Sequence, residues 1–147
     1  MFDMMSDPML LRQIIMDHYE YPRNHELSKE DGYHQVHMAS DSCIDDIHVQ
    51  AKISNNHIDD IRFDGVACTI ATASTSIMSE LLNDKDIEEA KVIINNYFSM
   101  INQEEFDQEL LQEAVALHNV GKQANRIKCA TIGWNAIKEL IDNSEVK

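Results

Sequence analysis

The stretch "IHVQAKISNNHIDDIRF" (residues 47–63) decides the fold class of this 147-residue chain. From 47 to 53 every second residue is apolar and the residues between are polar, which is typical of a strand with one buried face. The "SNN" that follows supplies turn residues that tolerate left-handed backbone conformations, and residues 58–63 return as a partner strand. The pattern predicts an antiparallel hairpin.

The sequence that flanks this hairpin adds a strand and several helices. Residues 34–38 alternate weakly and predict a third strand joined by a short segment. Residues 8–20 predict a helix, because Asp7 suits its N-cap and Pro8 suits its first position. Four helical patterns follow: "CTIATASTSIMSELLND" from Cys68, "DIEEAKVIINNYFSMI" at 86–101, "FDQELLQEAVALHNVG" closing at Gly121, and "ANRIKCATIGWNAIKELI" at 124–141.

The order of these elements predicts one α+β domain over residues 1–147, with a three-stranded antiparallel sheet and helices packed on it. Residues 1–7 are expected to form a mobile tail. No repeat, linker or low-complexity tract interrupts the chain.

Charge and composition exclude several classes of partner. The chain has 26 acidic residues against 12 Lys and Arg, a formal net charge of −14. It should therefore repel phosphate backbones and anionic lipids, which argues against nucleic acid or membrane partners. A basic protein surface or a metal cation fits better, although the acids can equally serve solubility alone. With no secretory signal or membrane-length apolar run, a cytoplasmic location is expected.

Three cysteines in such a chain disfavour a disulfide framework and leave metal ligation, thiol chemistry or buried structural thiols. Cys43 precedes the central strand, with Asp45 on the same side two residues on. Cys68 begins a helix, and Cys129 lies near the start of the last helix. Helix N-termini and nearby cations lower a thiol's pKa, so these positions favour thiolates. Three thiolates and one carboxylate suit tetrahedral zinc, but no CxxC pair is present.

Four segments carry a family resemblance: "MDHYEYPRN", "CID", "FDGVACTIATASTSIM" and "RIKCATIGWNAIKEL". With their order and separation, nearly the whole chain resembles the IscU/NifU-N family of iron–sulfur cluster assembly proteins, and most of all its SufU-type members. Lys128 stands where IscU-type chains have histidine, and the long segment between Cys68 and Cys129 resembles a SufU-type insertion. No proline-rich "LPPVK"-like stretch is present, which argues against a dedicated Hsp70-type partner. Ile44 departs from the usual cysteine–glycine–aspartate.

The resemblance implies a SufU/IscU-like fold and a zinc-dependent sulfurtransferase that accepts persulfide sulfur from a PLP-dependent cysteine desulfurase of the SufS type. It implies Zn²⁺ on Cys43, Asp45, Cys68 and Cys129, with Cys43 released on docking as the acceptor and Asp45 easing that exchange. Downstream Suf scaffold proteins are further expected partners. Such a protein transfers sulfur rather than acting as a stand-alone catalyst.

The sequence is also compatible with two alternatives. One is a scaffold that assembles a transient Fe–S cluster on the same ligands and passes it on. The other is a structural zinc adaptor, against which the aspartate argues because structural zinc sites prefer nitrogen and sulfur ligands.

The remaining charged candidates are weaker. Arg126 lies one helical turn before Cys129, and it either reaches the metal site to pair with Asp45 or a departing thiolate, or neutralises the helix end at the surface. His18 is expected to pack at the end of its helix rather than ligate a metal. Solvated roles are expected for four further histidines, His34, His37, His48 and His57.

Overall fold

The structure is a computed structural model that describes residues 7–39 and 44–145. Within these residues, three strands and five α-helices follow one another, with a 3₁₀ helix before the last. Their bounds are α1 Pro8–Glu20, β1 Tyr33–Ala39, β2 Asp46–Ser54, β3 His57–Val66, α2 Thr69–Leu82, α3 Ile87–Ile101, α4 Gln108–Leu111, the 3₁₀ helix Gln112–Lys122 and α5 Ala124–Glu145.

The sheet confirms the predicted hairpin and the third strand. Its order is β1-β2-β3, and both pairs are antiparallel. Asn55 and Asn56 make the tight turn between β2 and β3 with φ of 53° and 60°, the left-handed region that asparagine tolerates. Val49 lies opposite Val36 on β1 and Phe63 on β3, so the apolar residues of all three strands share one face.

The helices pack on that apolar face, which confirms the predicted α+β architecture. Helix α5 contacts β1, β2 and α2, whereas α2 contacts β3 and α1. Asp7 caps α1 by accepting hydrogen bonds from the amides of Met9 and Leu10, as predicted. Four residues that recur at helical spacing on α5 are fully buried: Ala130, Trp134, Ile137 and Ile141. Among the described helices, none combines the length and apolarity needed to cross a bilayer.

A polar network in the core joins α2, α3 and α5. Tyr97 stacks on Trp134 with ring centroids 3.9 Å apart. The hydroxyls of Tyr97 and Ser74 donate to the carbonyl of Ala130 over 2.7 and 2.6 Å, and Trp134 Nε1 donates to Ser74 Oγ over 3.1 Å. Because Ala130 follows Cys129, this network fixes the segment of α5 that carries the third cysteine.

The single helix predicted for residues 106–121 is wrong. An α-helix forms only over Gln108–Leu111, where Gln112 adopts φ 47° and interrupts it, and the chain continues as a 3₁₀ helix to Lys122. Gly121 is therefore not a C-cap: it packs so closely on α3 that a Cβ there would lie 2.2 Å from the Ile101 carbonyl oxygen. Residues 114–117 are consecutive and all buried, so this segment has no single apolar face of the kind that marks an α-helix in a sequence.

Candidate metal centre

Three elements bring potential ligands together at one end of the sheet. Asp45 immediately precedes β2, Cys68 is the N-cap of α2, and Cys129 lies in the second turn of α5. One ligand atom from each of these residues lies within 4.8 Å of the other two. Residues that are far apart in sequence therefore form a compact cluster of two thiols and one carboxylate.

Asp45 is held in place by Cys68, the residue with which it would share a metal ion. Its side chain is only 1% exposed. The Cys68 amide donates to Asp45 Oδ1 over 2.8 Å, and Cys68 Sγ lies 3.9 Å from Oδ2. Sulfur and oxygen ligands of a tetrahedral zinc are separated by about 3.5 Å when the bonds are 2.0–2.3 Å long, so a small side-chain adjustment from 3.9 Å lets the two atoms share an ion.

Cys68 owes its position to the start of α2. Its Sγ accepts a hydrogen bond from the amide of Ala71 over 3.4 Å, so the sulfur takes the role of a capping side chain. The thiol is half-buried and faces the space in front of the cluster. A helix N-terminus favours negative charge, which suits this sulfur to a thiolate ligand.

The expectation that flanking cations favour the thiolate of Cys129 is wrong. Burial, followed by the proximity of Cys68 and Asp45, raises the pKa of the Cys129 thiol to about 12. Arg126 and Lys128 are both exposed and do not offset that burial. A coordinated cation deprotonates a thiol outright, so Cys129 fits a metal-bound role better than that of a free nucleophile.

The fourth expected ligand, Cys43, lies outside the described residues, as do residues 40–42. The neighbouring Ile44, which replaces the usual glycine, is 66% exposed. Asp45 is buried immediately after it, so the chain enters the cluster within these two residues. The membership of Cys43 in the cluster stays a prediction.

An open cavity of about 560 Å³ lies in front of Cys68. Its lining includes Ile44 and Ile70, which give it an apolar side, and Tyr19 and Arg126. Arg126 thus shares a cavity with one cysteine of the cluster. Among the described residues, no carboxylate lies within ion-pair distance of the Arg126 guanidinium. The expected pairing of Arg126 with Asp45 is therefore not seen in this structure and stays a prediction.

Two of the histidines, His18 and His57, lie within hydrogen-bond distance of side chains outside the cysteine–aspartate cluster. His18 is fully buried, and its ring nitrogens lie 2.8 Å from Ser76 Oγ and 3.0 Å from Glu113 Oε1, in agreement with the predicted packing role. His57 is not simply solvated, since each ring nitrogen lies 2.8 Å from a carboxylate oxygen of Asp84 or Asp86.

The donor set matches the chemistry of zinc. Two thiols and a carboxylate on three separate elements provide sulfur and oxygen ligands, which zinc accepts in tetrahedral geometry. With only three protein ligands described, a fourth position is left for Cys43 or an exogenous group. Sequence reasoning identified these residues from their element ends, but the hydrogen bond from the Cys68 amide to Asp45 has no local sequence signal.

Comparison with known proteins places the chain in a family. The family described as NifU-like N terminal domain matches residues 10–147. The zinc-dependent sulfurtransferase SufU of Bacillus subtilis is 35% identical over 92% of this chain and 92% of its own length. The iron–sulfur cluster assembly scaffold protein IscU of Streptococcus pyogenes is 38% identical over 92% of this chain and 84% of its own length.

Solved structures agree with the fold. The crystal structure of FiSufU, a SUF-system protein from Fervidobacterium islandicum AW-1, is 25% identical and superposes with a TM-score of 0.77 over 86% of this chain and 92% of that one. The N-terminal part of a NifU-like protein from Brucella abortus shares the fold with a TM-score of 0.80 at 18% identity, over 97% of this chain and 99% of that one. The resemblance seen in the sequence is thus confirmed: the chain belongs to the NifU-like N-terminal domain family of iron–sulfur cluster assembly proteins and is similar to its SufU-type members.

Proposed function

We propose that this protein is a zinc-dependent sulfurtransferase that accepts persulfide sulfur from a PLP-dependent cysteine desulfurase. The observation that carries the proposal is the convergence of Asp45, Cys68 and Cys129 at a buried cluster beside an open cavity. The similarity to a zinc-dependent sulfurtransferase over 92% of the chain supports it.

Zinc would be held by Cys43, Asp45, Cys68 and Cys129, and when bound it supplies the charge that keeps the cysteines as thiolates. Cys68 and Cys129 belong to helices, and Asp45 is fixed by the Cys68 amide. Cys43 precedes β2 and is our candidate acceptor. A carboxylate binds zinc less tightly than a thiolate, so Asp45 keeps the ligand set exchangeable.

The transfer itself is a thiol–persulfide exchange. The Cys43 thiolate attacks the outer sulfur of the desulfurase persulfide, a new S–S bond forms on Cys43, and the S–S bond on the desulfurase breaks with its cysteine leaving as a thiolate. The cavity beside Cys68 leaves room for a loop of the desulfurase to approach, and the apolar Ile44 lines this cavity. No net oxidation occurs in this step.

A second candidate function is a scaffold that assembles an iron–sulfur cluster on the same ligands. The 38% identity to the Streptococcus pyogenes IscU favours keeping it. Metal analysis separates the two candidates: anaerobic purification should give zinc for the sulfurtransferase and iron with sulfide for the scaffold.

The test is desulfurase turnover on cysteine with this protein present or absent. Wild-type protein should accelerate turnover and carry one added sulfur atom on Cys43, located by mass spectrometry of its peptides. Cys43→Ser should abolish both effects, whereas Asp59→Asn, an exposed aspartate on β3, should leave them unchanged. Acceleration by Cys43→Ser equal to that of the wild type would refute the proposal.

A further inference from the structure

A second group of possible metal ligands lies on the opposite, exposed face of the sheet. His37 on β1 lies directly across from His48 on β2, and Asp46 is two residues before His48 on the same face. One ligand atom from each of the three lies within 4.8 Å of the other two. Two imidazoles and one carboxylate are a ligand set that binds divalent transition metals and leaves open positions.

The three side chains lie in contact with one another. His37 Nε2 lies 2.6 Å from Asp46 Oδ1, and the two imidazole rings stack with centroids 4.4 Å apart. Tetrahedral ligands bonded at about 2.0–2.2 Å lie roughly 3.5 Å apart, so rotations of these side chains suffice to close the group around an ion. His37 and Asp46 are about half exposed, which leaves them room for such rotations.

The surroundings favour a cation. Asp64 on β3 lies across from His48 on its other side, which adds a second carboxylate beside the group. Gln50 is only 6% exposed, and its side-chain Nε2 donates to Gln35 Oε1 over 3.1 Å. The side-chain Nε2 of Gln35 in turn lies 3.2 Å from His48 Nδ1. His48 is therefore anchored from the sheet, whereas His37 is anchored by the carboxylate.

Other histidine–carboxylate groups are less suited to a metal. The group of His18, Glu80 and Glu113 has its imidazole fully buried, with both ring nitrogens already in hydrogen bonds. His57 lies between Asp86 and Asp84, with one ring nitrogen facing each carboxylate. The possible ligand atoms of these three residues therefore do not converge on one point. Among the described residues, His37, Asp46 and His48 form the accessible group.

We propose that His37, Asp46 and His48 form a second binding site for a divalent transition-metal ion such as Zn²⁺, distinct from the cysteine cluster. Asp45 and Asp46 are adjacent, but Asp45 is buried against Cys68 while Asp46 is exposed on the other face of the sheet. The exposed site has no thiolate ligand, so it should bind Zn²⁺ more weakly than the buried cluster and fill after it.

The experiment is a titration of the full chain with Zn²⁺ alone, followed by calorimetry and by NMR of the histidine ring nitrogens. Beyond the first equivalent, the ring signals of His37 and His48 should shift together and saturate, while those of His34 and His57 stay in place. His37→Gln and His48→Gln should each weaken this second event by roughly tenfold or more, because loss of even an outer-shell partner of a ligand costs a metal site about 10–100-fold in affinity.

His34→Gln is the matched control, because it removes an exposed histidine from the same strand on the other face and should leave the second event unchanged. Far-UV circular dichroism checks that each variant is folded. If a variant is not, the ring signals of the wild-type protein decide the matter. Unshifted His37 and His48 signals, or equal shifts at all exposed histidines, would overturn the proposal, as would unchanged affinity in folded His37→Gln.

Discussion

In the proposed zinc site, Asp45 is the ligand expected to make the metal centre exchangeable rather than structural. Asp45→Cys should give a site with more thiolates that holds zinc more tightly and accepts sulfur more slowly, because the release of Cys43 becomes harder. Zinc affinity is measured by competition with a chelator, and sulfur acceptance by desulfurase turnover. Sulfur acceptance as fast as in the wild type would show that Asp45 is a structural ligand only.

Asp45→Ala should act on stability as well as on the metal. Because Asp45 Oδ1 accepts from the Cys68 amide in a buried setting, its removal should lower the free energy of unfolding by about 1–3 kcal/mol even in the metal-free protein. Asp45→Asn keeps an acceptor and should recover most of that loss. Urea unfolding of the metal-free variants measures the difference, and equal stabilities for Asp45→Ala and the wild type would contradict it.

His57 predicts a pH dependence of stability. The carboxylates of Asp86 and Asp84 raise the pKa of His57 above its ordinary value. A raised pKa in the folded state means that the stabilisation is fully present below the unfolded pKa of about 6.5 and is lost as the pH rises through the folded pKa. The stability difference between wild type and His57→Gln, from urea unfolding, should therefore be larger at acidic than at alkaline pH; a difference that grows with pH would contradict it.

Among the elements, the start of β2 depends on a glycine in β3. Gly65 has φ +134°, and a Cβ there would lie 2.2 Å from the Asp46 carbonyl oxygen. Gly65→Ala should therefore displace the start of β2, next to Asp45, and reduce both stability and zinc affinity. Gly32→Ala is the matched control, since Gly32 also has a positive φ of +97°, but a Cβ there would meet only the flexible Lys52 Cε, at 3.5 Å.

The control should cost about 1–2 kcal/mol from backbone strain alone, and Gly65→Ala should cost clearly more. Thermal unfolding and chelator competition on both variants give the comparison. Equal losses of stability, with zinc affinity intact in both, would show that the close approach of β2 and β3 does not matter for the cluster.

The network between α2, α3 and α5 gives a second test at this scale. Ser74→Ala leaves the buried Trp134 Nε1 without its acceptor and should cost about 1–3 kcal/mol. Tyr97→Phe should cost only about 1 kcal/mol, because Ser74 still donates to the Ala130 carbonyl. Chemical denaturation ranks the two variants, and a larger loss for Tyr97→Phe would reverse the assigned roles.

Predictability from sequence differed between elements for physical reasons. The hairpin was predictable because alternation and the asparagine turn are local signals. The 3₁₀ helix was not, because its conformation follows from burial against other helices and from the positive φ of Gln112. The pairing of His37 with His48 depends on the register of β1 and β2, which neither strand encodes alone.

For the candidate site, Asp45, Cys68 and Cys129 were predicted to meet from element ends and from family resemblance. The structure brings these three together. The buried, high-pKa state of Cys129 was missed, since exposed Arg126 and Lys128 suggested the opposite and burial was not visible in the sequence.

Across the molecule as a whole, the net charge of −14 should affect how the protein associates with the proposed desulfurase partner. If the acidic surface steers docking onto a basic patch of the desulfurase, association should slow as salt screens the charges beyond a Debye length of about 10 Å at 0.1 M. Stopped-flow association at low and high ionic strength tests this. A rate independent of salt would leave the charge a role in solubility only.

In the proposed site, Cys43, Asp45, Cys68 and Cys129 together hold one zinc ion. X-ray absorption at the zinc edge of protein loaded with one equivalent tests it most directly, because it counts the ligand atoms of each type. The account predicts three sulfurs at about 2.3 Å and one oxygen at about 2.0–2.2 Å. A shell dominated by nitrogen and oxygen, with no more than one sulfur, would contradict it.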